Sequence, residues 1–548
     1  MILAAIFLRL ALRAAFALAA VSAPIIALAQ LYRHFVDPTP NAATTAAFNR
    51  GIAFMTCAAA GVWLAQRVRR RSPPLASSPA APASTTHGSA RWRTASITPT
   101  ATRGLLIGRH AGNLWSPCGP PLRYSGDAHL LTVAPTGAGK GIGCVIPTLL
   151  TYPGSVLVTD PKGENFAVTA RRRRQLGHRV LALDPFALVG GTATFNPLTT
   201  LDPEAPDAVD DAAALADLMV IREPRESGDS VFWSEEAKAL LTGVILYVAS
   251  HEPAGRRTLN TVWECLSLPP RGLTQLWAAM GQSQAAGGAV ARVAARMRQK
   301  GDRVRSGILA QAQSQAHFLD SRQIARALDR STFSFDELTT SPVSLFLVLP
   351  PDRIDSCRRW LRLLVGCALQ AVIRARARPR ATDRVLFLLD EFPALGPMPP
   401  LERAVALARG YGVTCWLLVQ DLAQLRALYP ATWTTFVANA GVVQAFGTND
   451  VETAAYLSAM LGTTTVRTTS AGRSVAAGRT FLARAECRDS WTTTDHARAL
   501  LTPDEIRRLD RNELLILQPG LDPVRADRLD YRRDREFAGL FDRNPLTG

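Results

Sequence analysis

Two short segments constrain this chain more than any other. Ala134-Pro-Thr-Gly-Ala-Gly-Lys-Gly141 follows the strand-like run 130–133 and precedes a segment able to start a helix, and Val385-Leu-Phe-Leu-Leu-Asp-Glu391 is an apolar run ending in two carboxylates. The first has the setting of a phosphate-binding loop. Gly137 and Gly139 let backbone N–H groups turn toward phosphate oxygens, the following helix adds the positive end of its dipole, and Lys140 supplies a point charge. The second reads as a fully buried strand whose end presents Asp390 for Mg²⁺ and Glu391 for the attacking water. A glycine-rich segment alone is equally well a surface turn. Paired with the apolar strand, it predicts an ATP site in which Pro135, Thr136, Gly137, Ala138, Gly139, Lys140 and Gly141 surround the phosphates.

The loop departs from G-x-x-x-x-G-K-[ST] at both ends. Ala134 stands where the first glycine would be, which is tolerable at negative φ. Gly141 stands where a metal-binding hydroxyl would be. On the residues alone, either Mg²⁺ relies on Asp390, phosphate and water, or hydrolysis is impaired.

The remaining motifs carry a resemblance. His87-Gly-Ser-Ala-Arg-Trp92, Ala134-Pro-Thr-Gly-Ala-Gly-Lys-Gly-Ile-Gly143, Thr159-Asp-Pro-Lys-Gly-Glu164, Phe195-Asn-Pro-Leu198, Phe232-Trp-Ser-Glu-Glu-Ala237 and Asp390-Glu-Phe-Pro-Ala-Leu-Gly396 occur in that order. The chain from about 85 to 520 thereby resembles the TraG-type coupling proteins of type IV secretion, a family of conjugative DNA-transfer ATPases. The resemblance implies that Lys-Gly at the loop's end is a family variant and not a defect. It also implies a homohexamer, a relaxase–DNA complex or single-stranded DNA as cargo, and type IV secretion channel components as partners.

Apolar runs at 130–133, 155–159, 179–183, 343–349, 385–389, 413–419, 442–446 and 514–517 alternate with helical patterns. This predicts an α/β fold with a mainly parallel sheet covered on both sides, a RecA-like P-loop NTPase domain. Between 202 and 336 the strand runs stop and alanine-rich helical patterns take over, at 208–219, 234–250 and 289–299, which predicts an inserted all-α domain. The expected divisions are an anchor at 1–71, a linker at 72–102, the nucleotide-binding domain in two parts at 103–201 and 337–520, the insertion, and a basic tail at 521–548.

The anchor rests on two uncharged apolar blocks, 14–31 and 51–66, each near the length that spans a bilayer. Arg9 and Arg13 precede the first, and Arg67, Arg69, Arg70 and Arg71 follow the second. The positive-inside rule then predicts a two-pass transmembrane hairpin in a bacterial inner membrane, with both ends and the bulk of the chain cytoplasmic. Two readings compete: cleavage after Ala27-Leu28-Ala29, which would leave one span, and a buried soluble helical hairpin, against which stands the lack of polar residues on a regular face of either block. The stretch from Ser72 to about Thr86 is rich in Pro, Ala and Ser, as linkers are. The eight cysteines are scattered without C-x-x-C spacing, which argues against a disulfide framework or zinc site.

Three further sets of residues have two readings each. Gln420, after the run 413–419, is either a sensor at the γ-phosphate or a helix cap. The resemblance implies that Arg409 is an arginine finger acting on a neighbour's nucleotide; a solvated helix end is the alternative. The net charge of +17, from 62 Lys+Arg against 45 Asp+Glu, attracts nucleic acid or anionic lipid. Arg171 to Arg174, the run from Arg374 to Arg380, and the set from Arg292 to Arg305 either line a DNA path or form solvated faces. Asp160-Pro is expected to be structural, and Phe232 and Trp233 to fill the helical core. The motor half would look the same in a coupler of protein effectors, and Gly141 leaves open a membrane receptor that uses ATP mainly for assembly.

Overall fold

The structure is a computed structural model that describes residues 85–93, 104–112, 119–222, 224, 228–375, 384–476 and 486–546. Both hydrophobic blocks of the expected hairpin lie outside these residues. Among the described residues, no helix is long and apolar enough to cross a membrane.

The centre is a sheet of 11 strands in the order β2-β1-β13-β12-β9-β3-β8-β7-β4-β6-β5. In chain order these are β1 (Leu105–Arg109), β2 (Pro121–Tyr124), β3 (His129–Val133), β4 (Val156–Asp160), β5 (Arg179–Leu183), β6 (Val343–Val348), β7 (Val385–Leu389), β8 (Val413–Val419), β9 (Ala440–Ala445), β12 (Glu513–Leu517) and β13 (Val524–Asp527). From β9 through to β5 every pairing is parallel, while β12, β13, β1 and β2 join antiparallel at one side. The mainly parallel α/β fold expected from the apolar runs is therefore present.

Strands that read as unbroken apolar runs serve two cores, because alternate side chains point to opposite faces. Leu131, Val133, Phe387, Leu389, Leu417 and Val419 share one core with the helical insertion. Leu130, Val158, Phe346, Leu388, Trp416 and Leu418 share the other with the helix that follows the phosphate loop. The insertion includes the helices Ala208–Met219, Asp229–His251, Leu259–Leu266, Pro270–Gly281, Ala285–Gln299 and Asp302–Ala316, and no strand occurs among its described residues. Its aromatic pair divides. Trp233 packs against the core, but Phe232 remains 44% exposed, because it falls on the outer side of the first turns of Asp229–His251.

Two further strands, β10 (Thr463–Ala476) and β11 (Glu486–Ala499), form a separate antiparallel ribbon. The His87-Gly-Ser-Ala-Arg-Trp92 motif attaches to its base: Ser89 bridges to Thr464, and the Ala90 amide donates to Thr463 O at 3.0 Å. The C-terminal residues also join the body. Leu529, Tyr531 and Phe537 are buried with Ile146, Leu150 and Val168.

Candidate nucleotide site

β8 lies between β3 and β7. The carboxyl ends of these three neighbouring parallel strands therefore deliver the phosphate loop, Gln420, and the Asp390-Glu391 pair to one crevice, where open α/β sheets bind ligands. The loop leaves β3 with the Ala134 amide donating to Val419 O at 2.9 Å and is closed by Ala138 N–H to Pro135 O at 3.0 Å. Gly137 and Gly139 adopt φ of 80° and 90°. These values favour glycine. Thr136 and Gly137 are exposed, and Pro135, Ala138, Gly139, Lys140 and Gly141 are half-buried. Gly141 opens a π-turn, Gly141–Val145, that leads into the helix Ile146–Thr151. A Cβ there would meet nothing within 4 Å, so space does not dictate the missing hydroxyl.

Lys140 reaches across to β7. Its Nζ lies 3.0 Å from Asp390 Oδ1 and 3.0 Å from Glu391 Oε2. Burial alone would lower the ammonium's pKa, but the two carboxylate charges and the hydrogen bond to Glu391 outweigh it and hold it above the ordinary value. Gln420 Nε2 donates to the other Glu391 oxygen, Oε1, at 2.9 Å. Gln420 is thus brought to the Glu391 carboxylate, and the capping of the next helix falls to Asp421, whose side chain accepts from Gln424 N. Glu391 sits at φ 62°, ψ 52°, a left-handed conformation. For a non-glycine residue this costs about 1–3 kcal/mol and clusters at functional sites. Asp390 is held through its backbone, whose carbonyl accepts from Thr159 Oγ1 at 2.8 Å.

The donor set can be tested against a magnesium ion. Despite its closeness to the ammonium, Asp390 Oδ1 is buried with no hydrogen-bond donor at acceptable angle. A hard, oxygen-preferring cation fits such an atom, with phosphate and water completing the shell. No group of three or more His, Cys, Asp or Glu with metal-ligand placement occurs among the described residues.

Asp160, at the end of β4, has a structural place. Its carboxylate accepts from Asn165 N at 3.3 Å and Phe166 N at 2.8 Å, holding the start of the helix Glu164–Gln175. Burial raises its pKa to about 7. Arg362 was not singled out in the sequence. It is buried in the helix Ile354–Arg374, and donates to Leu218 O at 3.1 Å, to Leu395 O at 3.1 Å and to Pro397 O. One guanidinium thus ties the insertion's first helix to the turn that follows Glu391. Nothing in the sequence separates it from the chain's other arginines.

The backbone of Arg409 lies away from the crevice of its own chain. It lies in the turn Ala408–Tyr411, before β8 begins, whereas Gln420 follows the end of that strand. A strand of this length sets the two about 20 Å apart. Its side chain lies outside the described residues.

The basic runs also resolve in part. Arg173 is fully buried; it donates to Ser344 Oγ at 2.7 Å and Gly154 O at 2.8 Å, so it belongs to neither a DNA path nor a solvated face. Arg171 pairs with Asp542 at 2.7 Å. Arg374 pairs with Asp211, and residues 376–380 lie outside the described set. Arg296 and Lys300 both engage Glu236, while Arg298 and Arg303 are exposed.

Comparison with known proteins follows the same lines. A model of the family described as type IV secretory system conjugative DNA transfer matches residues 94–543. The conjugal transfer protein TraG of Escherichia coli is 34% identical over 474 residues, which cover 77% of this chain and 71% of TraG. VirD4 of Rhizobium radiobacter is 28% identical over 471 residues, 83% of this chain and 65% of VirD4. The chain thus spans less than two thirds of VirD4. Among solved structures, the plasmid coupling protein TrwB in complex with a non-hydrolysable ATP analogue superposes with a TM-score of 0.57 at 16% identity, over 78% of this chain and 89% of TrwB. TrwB with ADP and Mg²⁺ gives 0.54 at 15% identity, over 75% and 87%. At such identity the likeness concerns the fold.

Proposed function

Because the chain belongs to the type IV secretory system conjugative DNA transfer family, we propose that it is an inner-membrane coupling ATPase that recruits a relaxase–DNA complex and delivers it to the secretion channel. The observation that carries this reading is the convergence of Lys140, Asp390, Glu391 and Gln420 at the carboxyl ends of β3, β7 and β8. Lys140 and the loop amides hold the ATP phosphates. Asp390 would hold Mg²⁺, which when bound neutralises phosphate charge. Glu391 takes a proton from the attacking water, and Gln420 keeps the carboxylate oriented by its bond to Oε1. Arg409 acts in trans, stabilising charge on a neighbour's nucleotide. The place of its backbone at the opposite end of β8 supports that assignment, and family membership supports a homohexameric ring.

Arg362 gives the hydrolysis cycle a route outward. A movement of the turn after Glu391 is felt by Leu218 O through a single buried guanidinium, so the insertion responds to the nucleotide. The blocks 14–31 and 51–66 supply the two-pass anchor, and exposed arginines multiplied around a ring grip single-stranded DNA through its phosphates. The test is ATP hydrolysis by the full chain with and without single-stranded DNA. Hydrolysis stimulated by DNA and lost in Lys140→Ala is expected, and activity that survives Lys140→Ala would overturn the reading.

A further inference from the structure

Arg528, immediately after β13, lies against the phosphate loop. Its Nη1 donates to Ala138 O at 3.0 Å. A Cβ on Gly139 would fall 1.9 Å from Nη1, and one on Gly143 would fall 2.5 Å from Arg528 Cγ. Gly143 has no positive φ, so the close approach of this side chain is the reason for glycine there. Asn512 props the arginine from behind: its carbonyl accepts from Arg528 N at 2.5 Å, and its Oδ1 accepts from Nη2 at 3.4 Å. The guanidinium makes no ion pair among the described residues, and its Nε is buried without an acceptor. The Arg528 charge reaches the Asp530 carboxylate and helps lower its pKa, but among the described residues no carboxylate bonds the guanidinium directly; a buried N–H left unbonded is costly, and a guanidinium so placed beside a phosphate loop suits an anion.

We propose that Arg528 is a positioning residue for the nucleotide phosphates, acting through the Ala138–Gly139 peptide. In a trans peptide the carbonyl and the amide N–H point in opposite directions. Drawing Ala138 O onto the guanidinium therefore aims the Gly139 N–H away from Arg528, into the concave side of the loop. The charge on the donor also polarises that peptide and strengthens its N–H toward phosphate. Because Leu529, Tyr531 and Phe537 pack with Ile146 and Leu150 of the following helix, the C-terminal segment holds the arginine in register with the loop. Nucleotide affinity is thereby tied to a part of the chain remote in sequence from the loop.

This inference rests on the ATP reading above, and the experiment separates the two. Binding of ATP and of a fluorescent ADP analogue is measured on the full chain, with steady-state hydrolysis alongside. In Arg528→Gln, Kd for both nucleotides and KM rise about tenfold, the loss of one charge-assisted bond, while kcat at saturation changes by less than about threefold. Arg528→Lys keeps the charge but not the fork and falls between. An arginine that merely supports the fold would lower the melting temperature of the nucleotide-free chain and leave Kd and the ADP-induced rise in melting temperature unchanged. Wild type that binds no ATP would sink the ATP reading itself; wild type that binds, with Arg528→Gln within about twofold of it, would overturn this inference alone. If Arg528→Gln does not fold, Asn512→Ala and Arg528→Lys carry the test: both are expected to weaken binding, and unchanged Kd in both overturns it.

Discussion

Replacing Glu391 with glutamine isolates the step assigned to that carboxylate. The substitution keeps side-chain length, and the amide oxygen still accepts from Gln420 Nε2, which lies 2.9 Å from Glu391 Oε1. Glutamine bears the φ of 62° no better and no worse than glutamate, so stability should hardly change. What goes is the negative charge 3.0 Å from Lys140 Nζ. At an effective dielectric of about 20, the gross attraction at this distance is about 5–6 kcal/mol. Most of it is offset, because the ammonium keeps its contact with Asp390 and regains solvation, leaving a net difference of about 1 kcal/mol. Lys140 is then freer to meet phosphate, so ATP binding should be retained or tightened by up to about fivefold. Hydrolysis should fall by about 10²–10⁴-fold for want of a base. Equilibrium ATP binding and steady-state phosphate release on the full chain measure the two effects separately. Turnover equal to wild type, or ATP binding lost as completely as in Lys140→Ala, would refute the assignment.

Other consequences can be checked independently. His178 packs with Arg173 and Ser344 and has its pKa lowered to about 4 by burial and by the Arg173 charge. A lowered folded-state value gives stability that is present above the unfolded pKa of 6.5 and lost as pH falls through about 4. The melting temperature should therefore drop across that window, and less steeply in His178→Gln; identical profiles would contradict the coupling. Reporter fusions at residues 40 and 80 should report periplasm and cytoplasm, and a cytoplasmic signal at 40 would defeat both the hairpin and the cleaved-signal readings. Single-stranded DNA binding by the assembled protein should weaken linearly in log–log form with salt, at about 0.7 per phosphate neutralised, and a flat profile would remove the electrostatic grip.

The parallel part of the sheet was legible because its strands are buried on both faces and so read as unbroken apolar runs, as in β7 and β8. The insertion was legible from alanine-rich periodicity at Ala208–Met219. The ribbon of β10 and β11 was not, because Thr, Ser and Arg occupy most of its described exposed positions and no apolar face marks its period. Trp491 is 67% exposed within it. β2 is a half-buried edge strand beginning at a proline, and β13 is Val-Arg-Ala-Asp, too short and charged to stand out. At the site, Lys140, Asp390, Glu391 and Gln420 came from motif and strand-end logic, since strand order alone brings them together. Arg362 and Arg528 did not, because their roles depend on which backbone carbonyl each guanidinium meets across long sequence separations. In an arginine-rich chain, composition conceals them.

In the proposed cycle, ATP turnover at Lys140 drives conjugative DNA delivery. The most direct test is transfer of a mobilisable plasmid from cells carrying Lys140→Ala beside wild type, with secretion of candidate protein effectors followed in parallel. Transfer that collapses in Lys140→Ala while the protein remains at wild-type abundance is the predicted result. Plasmid transfer unaffected by the substitution, with effector secretion abolished, would contradict it and assign the motor to protein cargo.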